Sequence, residues 1–151
     1  MTDTVSPAKR SQMMSLIRSK DTKPELVIRK GLHRLGFRYR LHNNKLPGSP
    51  DLVFSKYNAI CFIHGCFWHG HEDCNLYRLP KSRVAFWRDK IQNNKERDKR
   101  NIDYLLANGW RVCIIWECSI KGKTRLDIDE LITIVANWIK SSNRYFHVRG
   151  N

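Results

Sequence analysis

Apolar residues recur at helical spacing in four parts of the chain, and three of these segments carry a recognisable end. DTKPELVIRKGLHRLGF begins with a capping box, in which Thr22 caps the helix and Glu25 follows three residues later. The apolar face predicted for this helix consists of Leu26, Val27, Leu32 and Leu35. A long helix is predicted from about Ser82 to Asn108, because Gly109 ends the periodic pattern. The basic segment PAKRSQMMSLIRSK predicts a further helix near the N-terminus.

The remaining helical segment is DIDELITIVANWIK, which Asp127 is placed to cap. Its predicted apolar face consists of Leu131, Val135 and Trp138. Between the helices the pattern changes to alternation or to short apolar runs, which predict strands. FRYRL at 37–41 alternates like a half-buried strand, DLVF and AICFIH form a hairpin across SKYN, and WRVCIIWE predicts a central strand.

The predicted order is α-α-β-β-β-α-β-α, which indicates an α/β fold with a mixed central sheet flanked by helices. The sequence contains no repeat, low-complexity segment or linker. We therefore expect one domain spanning residues 1–151, with an N-terminal basic arm at about 1–20. The tail after residue 141 carries no assignment.

The net charge of the chain indicates which class of molecule it binds. The chain has 28 Lys and Arg against 14 Asp and Glu, a net charge of +14, which favours a polyanion and above all nucleic acid. No apolar run approaches the ~20 residues of a membrane helix, and the first residues lack the apolar segment of a signal peptide. The five cysteines are odd in number and unevenly spread, which is typical of a reducing cytoplasm and of metal ligation.

The stretch HGCFWHGHEDC, residues 64–74, contains three closely spaced candidates for metal ligation: Cys66, His71 and Cys74. Such spacings let both ends of a loop reach one tetrahedral zinc ion. Cys118 is the candidate fourth ligand, since it follows the strand WRVCIIWE and a loop begins there. Two further cysteines lie inside apolar strands and are expected to be ordinary buried thiols: Cys61 and Cys113.

Carboxylates and histidines suggest a second site. Asp51 lies where a turn enters a strand, and His64 shares one strand face with Ile60 and Phe62, so Asp51 and His64 are expected to meet at neighbouring strand ends. On the long helix one stripe is formed by Trp87, Ile91, Asn94, Asp98, Ile102 and Leu105. Asp98 on this stripe predicts either a catalytic carboxylate or a salt bridge to a nearby Arg or Lys. The capping box alone accounts for Glu25, and nothing nearby in the sequence requires this residue to line a site.

Four segments together resemble the very short patch repair endonucleases, the Vsr family: SPDLVF, CFIHGCFWHGH, FWRDKIQNNKERD and GWRVCIIWEC. The resemblance runs from about Arg10 to Ser119. It implies a restriction-endonuclease-like fold, a structural Zn²⁺ and a Mg²⁺-dependent activity. It also implies nicking of one strand 5′ to the T of a T:G mismatch that arises from deaminated 5-methylcytosine.

The resemblance assigns roles to individual residues. Magnesium is implied at Asp51 and at the main-chain carbonyl of Ile63. The remaining catalytic positions are implied to be His64, His69, Glu25 and Asp98. The implied zinc ligands are Cys66, His71, Cys74 and Cys118. The side chains implied to enter the DNA stack are Phe67, Trp68, Trp87 and Met14. Partners implied with the family are general mismatch-repair proteins and a companion cytosine methyltransferase, with a monomer acting on double-stranded DNA at the bacterial nucleoid.

The chemistry requires a proton acceptor for water, and the Glu and Lys that follow the Asp in many nucleases of this fold are replaced here by Phe62 and His64, respectively. We favour His69 as the general base, with Glu25 or Asp98 orienting a histidine, and His64 remains the alternative base. Two other functions fit the same residues. One is a restriction-type or structure-specific nuclease of the same fold, and the other is a non-catalytic zinc-stapled DNA-binding module.

Overall fold

The computed structural model describes residues 22–151, and within that range it contains three α-helices and five strands. The helices are α1 (Lys23–Arg34), α2 (Val84–Ala107) and α3 (Ile128–Lys140). The strands are β1 (Arg40–Leu41), β2 (Leu52–Phe54), β3 (Ala59–His64), β4 (Arg111–Trp116) and β5 (Tyr145–Val148). The predicted mixed α/β class is confirmed, while the helix predicted in PAKRSQMMSLIRSK lies outside the described residues.

The five strands form one sheet in the order β1-β2-β3-β4-β5. The first three are antiparallel neighbours, which confirms the predicted hairpin, and β4 is parallel to both β3 and β5. In the β3–β4 register His64 lies opposite Trp116. Because parallel strands end at the same edge of a sheet, the loops after His64 and after Trp116 leave side by side.

Helices cover both faces of the sheet. On one face α1 and α3 pack against Cys61, Cys113 and Ile115. On the other face α2 contributes Leu105 to a cluster with the strand residues Ile60, Phe62, Val112 and Ile114. Each fully buried Leu or Ile stabilises the fold by about 1.5–3 kcal/mol. The alternation along β3 places His64 on the α2 face, directly beyond Ile60 and Phe62.

The helix ends follow the sequence closely. The Thr22 hydroxyl accepts from the Glu25 amide at the start of α1, and the Asp127 carboxylate accepts from the Glu130 amide at the start of α3. Helix α2 ends at Ala107, and Gly109 follows with a φ of 90°. No helix in residues 22–151 is long and apolar enough to cross a membrane.

The buried face of α1 differs from the prediction. The residues that the helix buries are Glu25, Ile28 and Leu32, whereas Leu35 is 58% exposed. Leu35 lies beyond the last helical turn, so it leaves the apolar line that the spacing predicted. A buried carboxylate on the inner face of α1 is the feature that apolar periodicity could not show, and it places Glu25 beside the sheet.

Two strands also differ from the prediction. The strand predicted over 37–41 is limited to Arg40–Leu41, since the Phe37 amide donates to the Leu32 carbonyl at the end of α1 and the Phe37 ring packs on Phe54. Strand β5 was not predicted, since its four residues lie in the unassigned tail. It adds the fifth strand beside β4, so β4 is an interior strand as predicted.

Candidate active site and metal cluster

An open cavity of about 610 Å³ lies where β2, β3 and α2 meet. Its wall includes four of the residues that the sequence indicated as catalytic: Asp51, His64, His69 and Asp98. Ile63 also lines the cavity. Asp51 and His64 therefore border the same cavity, but the predicted direct meeting is not seen, because their ligand atoms belong to two separate clusters: Glu25, His42 and Asp51 in one, and His64, His69 and Asp98 in the other.

Asp51 is the carboxylate at the floor of this cavity. Its Oδ2 accepts a hydrogen bond of 2.7 Å from the main-chain amide of Ile63. Burial raises the pKa of Asp51 to about 6, and the Ile63 hydrogen bond opposes that rise only in part. A desolvated carboxylate of this kind is stabilised by a cation, so the position suits a divalent metal ion.

Glu25 and His42 form a pair beside Asp51. The Nε2 atom of His42 lies 2.8 and 2.9 Å from the two carboxylate oxygens of Glu25. An ionised carboxylate can only accept, so this nitrogen carries the proton. Arg29 Nη1 also donates to Glu25, at 2.9 Å. Glu25, His42 and Asp51 bring ligand atoms within 4.8 Å of one another, so Glu25 belongs to the site as well as to the helix cap.

The opposite wall holds two stacked histidines. The rings of His64 and His69 lie 3.7 Å apart and within 5° of parallel. Asp98 Oδ2 lies 2.5 Å from His69 Nδ1, and Arg97 approaches Oδ1 of the same carboxylate at 3.5 Å. The predicted salt bridge of Asp98 to a nearby arginine is therefore present, and Asp98 also has a histidine partner. Burial lowers the pKa of His64 well below its ordinary value, and the nearby His69 lowers it further.

A second cluster lies past the ends of β3 and β4, and its four residues are Cys66, His71, Cys74 and Cys118. Their ligand atoms lie within 4.8 Å of one another, and His71 Nδ1 is 3.5 Å from Cys66 Sγ and 3.6 Å from Cys118 Sγ. Three sulfurs and one imidazole nitrogen form a donor set that suits tetrahedral zinc. This cluster could hold a metal ion, as the spacing indicated.

The surroundings of the cluster fit a cation. Burial raises the pKa of the Cys66 and Cys118 thiols, so both would keep their protons without a positive charge nearby. Main-chain amides donate to both sulfurs, from Cys118 to Cys66 Sγ and from Gly150 to Cys118 Sγ, each at 3.3 Å. The two remaining cysteines, Cys61 and Cys113, pair in register inside β3 and β4 and are fully buried, as expected.

A group of three rings, two on the 64–74 loop and one on α2, forms a third feature. Phe67 lies 5.1 Å from Trp68 and 5.6 Å from Trp87, measured between ring centroids, and the two tryptophans are 6.0 Å apart. The three rings are partly buried against one another. Asn94 on α2 donates to the main-chain carbonyl of Trp68 at 2.9 Å, which fixes the loop to the helix. Phe86, which no sequence pattern indicated, is 45% exposed and packs against Trp87.

Comparison with known proteins identifies the family. A family model described as DNA mismatch endonuclease Vsr matches residues 2–76. The chain is 40% identical over 139 residues to the DNA mismatch endonuclease Vsr of Escherichia coli (strain K12), an alignment that covers 92% of this chain and 88% of that protein. The chain belongs to the Vsr family.

Other Vsr-like relatives carry the name of nicking enzymes. The type II nicking enzyme V.XorIIP of Xanthomonas oryzae pv. oryzae is 48% identical over 127 residues, covering 84% of this chain and 93% of that protein. The type II nicking enzyme V.NmeAIP of Neisseria meningitidis serogroup A is 49% identical over 123 residues, covering 82% of this chain and 87% of that protein.

The structure gathers most of the positions that the Vsr resemblance implied. Four of the five catalytic candidates line the cavity, and Glu25 contacts it through His42. The four implied zinc ligands form one cluster, and three of the four implied intercalating residues form one group of rings. Met14, the fourth, lies outside the described residues.

Three residues near the two sites were missed: His42, Trp116 and His147. His42 becomes visible only once the β1–β2 register is known, because its amide donates to the carbonyl of Asp51 at 3.1 Å. Trp116 was counted as part of a strand, and His147 lies in the unassigned tail. None of the three belongs to a local motif, so spacing along the chain gave no signal for them.

Proposed function

We propose that the protein is a sequence-context-dependent DNA mismatch endonuclease that nicks one strand 5′ to the T of a T:G mismatch. In this proposal the mismatch arises from deaminated 5-methylcytosine, and the cut initiates very short patch repair. The relatives named as nicking enzymes and the Vsr family model support the nuclease activity. The net charge of +14 supports double-stranded DNA as the partner.

One observation carries the proposal. A single loop, residues 64–74, supplies two histidines to the open cavity, three ligand candidates to the Cys/His cluster and two rings to the ring group. The same short segment thus joins hydrolytic groups to groups that suit contact with unstacked bases. A DNA-binding module would have no need for the buried carboxylate of Asp51 beside such a loop.

Magnesium is proposed at Asp51, with the main-chain carbonyl of Ile63 as a further ligand. When bound there, Mg²⁺ supplies charge neutralisation at the phosphate and polarises the scissile bond. Zinc is proposed at Cys66, His71, Cys74 and Cys118, where it would fix the shape of the loop. The donor chemistry of both sites fits these ions, because Mg²⁺ prefers oxygen ligands and Zn²⁺ prefers sulfur and imidazole.

His69 is the proposed general base. Asp98 Oδ2 accepts a hydrogen bond of 2.5 Å from the protonated Nδ1 of His69. The Nε2 atom therefore keeps the lone pair that can take a proton from water. The depressed pKa of His64 keeps that imidazole neutral, which leaves it as the alternative base. Glu25, fixed by His42 and Arg29, lies beside Asp51 and is proposed to complete the carboxylate side of the site.

Phe67, Trp68 and Trp87 are proposed to enter the base stack at the mismatch, with Met14 entering from the N-terminal arm. Unstacking a base step costs a few kcal/mol. This cost is lower at a T:G wobble pair, because it stacks less well than a matched pair. The ring group is already assembled on the protein, so little side-chain entropy is lost on binding.

The fold is proposed to be restriction-endonuclease-like, as one domain with a basic N-terminal arm, acting as a monomer. General mismatch-repair proteins and a companion cytosine methyltransferase are proposed as functional partners. These proposals rest on membership of the Vsr family together with the mixed five-stranded sheet.

The test is a nicking assay with Mg²⁺ on three duplexes of otherwise identical sequence. They differ at one base pair, which is T:G, T:A or C:G. The proposal predicts a single-strand break 5′ to the T in the T:G duplex, and intact strands in the other two. Since the flanking bases are part of recognition, the mismatch is placed in a randomised context. Double-strand cutting would instead favour a restriction-type nuclease, and binding without any cut would favour a DNA-binding module.

A further inference from the structure

Trp116 contacts both sites. It lies at the end of β4, and its ring stacks on His71 of the Cys/His cluster, with centroids 3.9 Å apart and planes within 6°. The same ring meets His64 of the cavity edge-on, at 5.4 Å and 78°. The β3–β4 register produces this position, because it pairs Trp116 with His64.

The ring of Trp116 is held in turn by His147. The indole Nε1–H of Trp116 donates to Nδ1 of His147 at 3.0 Å. The indole nitrogen can only donate, so His147 accepts at Nδ1 and carries its own proton at Nε2. His147 lies on β5, far along the chain from both sites and beyond the residues that the family model matches.

A continuous set of contacts therefore runs from β5 to the proposed general base. His147 holds Trp116, Trp116 meets the edge of His64, and His64 stacks on His69 at 3.7 Å. Among residues 22–151 the His64 ring makes no hydrogen bond, so ring packing is the contact that orients it. A change in the tilt of Trp116 would pass directly to the stacked histidine pair.

We propose that Trp116, held by its hydrogen bond to His147, is a positioning residue that sets the orientation of the His64–His69 pair against the Cys/His cluster. This inference rests on the proposed function, because it assigns a positioning role for that reaction. Neither side chain takes part in the chemistry itself. Displacement of a catalytic group by about 1 Å can lower a rate by about 10²-fold, so an intact fold with a tilted indole should be a slow enzyme.

The test compares two substitutions at one position. In His147→Asn the amide Oδ1 occupies nearly the place of Nδ1 and can accept from Trp116, whereas His147→Leu removes the acceptor and keeps the bulk. Trp116→Phe removes the donor and keeps a ring against His71. His33→Leu serves as the control, because His33 is an exposed histidine on α1 away from both sites.

The measurements are kcat and KM on the T:G duplex, zinc content, melting temperature and the imidazole ¹⁵N NMR signals of the histidines. For His147→Leu and Trp116→Phe we expect kcat to fall by about 10- to 100-fold, with KM, zinc content and melting temperature near those of the unaltered protein. His147→Asn should recover most of kcat. The ¹⁵N signals of His64 and His69 should move in the Leu variant and return towards their original positions in the Asn variant.

Three results would overturn the inference. The first is a His147→Asn variant as slow as His147→Leu, which would mean that the acceptor at this position is irrelevant. The second is a set of unmoved His64 and His69 signals in the Leu variant, and the third is a kcat that falls only together with the melting temperature. If the unaltered protein itself leaves the T:G duplex uncut, the proposed function fails, and the NMR comparison still decides the positioning role.

Discussion

The Cys/His cluster and the carboxylate–histidine site differ in how they are enclosed. The Cys/His cluster is closed, because four ligand atoms face one another and main-chain amides donate to two of the sulfurs. The carboxylate–histidine site borders an open cavity of about 610 Å³. A closed set of four protein ligands is typical of an ion that holds a structure, while an open position is needed where a reactant must enter.

The sequence places these two sites in alternating positions of one loop. His64 and His69 face the cavity, whereas Cys66, His71 and Cys74 face the cluster. The proposed structural ion and the proposed reaction would thus be separated by side-chain direction and not by distance along the chain. If this separation is correct, substitutions in the two sets should differ in kind, with stability lost in one and rate lost in the other.

The largest effect is expected from Cys118→Ser. Cys118 is buried and is the candidate ligand that would tie the 64–74 loop to the end of β4. Losing a ligand of a structural zinc site removes metal-binding energy from the folded state, so we expect the melting temperature to fall by about 10 °C or more. Zinc content by atomic absorption should fall below one ion per chain, and nicking should be lost with it.

Cys61→Ala is the matched control for that substitution. Cys61 is equally buried but lies within β3 against Cys113, outside the cluster. Its loss should lower stability only through packing, by about 1–2 kcal/mol, with full zinc content. Equal zinc loss in both variants would show that the cluster is not the metal site.

Sites whose residues lie close together in the chain, or at the ends of recognisable strands and helices, could be predicted from the sequence. The cluster and the ring group were predictable because most of their members are within a few residues of one another, and Cys118 follows directly on a recognisable strand. Asp51 and His64 were predictable because each marks the end of a hairpin strand. The stripe on α2 indicated Asp98 and Asn94 because helical spacing is regular.

Other features depend on register between distant segments, which the sequence does not display. His42 reaches Glu25 only through the pairing of β1 with β2, and His147 reaches Trp116 only because β5 pairs with β4. The inner face of α1 was misassigned for a related reason. Glu25 is buried because a histidine and an arginine meet it, so a polar residue occupies a position that apolar spacing would give to Leu.

The next effect in size concerns the open site. Asp51→Asn keeps the shape of the side chain and its acceptor for the Ile63 amide, and removes the charge that the proposed Mg²⁺ requires. We expect nicking to fall by about 10³-fold or more in single-turnover assays, since charge neutralisation by a metal supplies several kcal/mol. Mismatch binding should persist in gel-shift assays.

The stability of the same variant should move in the opposite direction to that of Cys118→Ser. The raised pKa of Asp51, about 6, shows that its charge is poorly solvated in the folded protein without a bound ion. Without added Mg²⁺, Asp51→Asn should therefore melt at the same temperature or a few degrees higher.

His69→Ala should likewise abolish nicking with binding retained. Continued nicking by either variant would contradict these assignments, and a marked loss of stability would erase the proposed contrast between the two sites.

The smallest effect is expected from the rings, which lie on the loop between the two sites. Phe67→Ala with Trp68→Ala leaves the ligand candidates and the histidines in place, so zinc content should be unchanged. The variant should lose about 10- to 100-fold of its preference for the T:G duplex over the C:G duplex, because each base–aromatic contact contributes about 1–3 kcal/mol. Tyr104→Ala, which removes an exposed ring elsewhere on α2, is the control and should keep the preference. An equal loss of affinity for both duplexes would mean that the rings bind DNA without distinguishing a mismatch. The loop would then contribute to the metal cluster and to the cleavage site, but not to mismatch recognition.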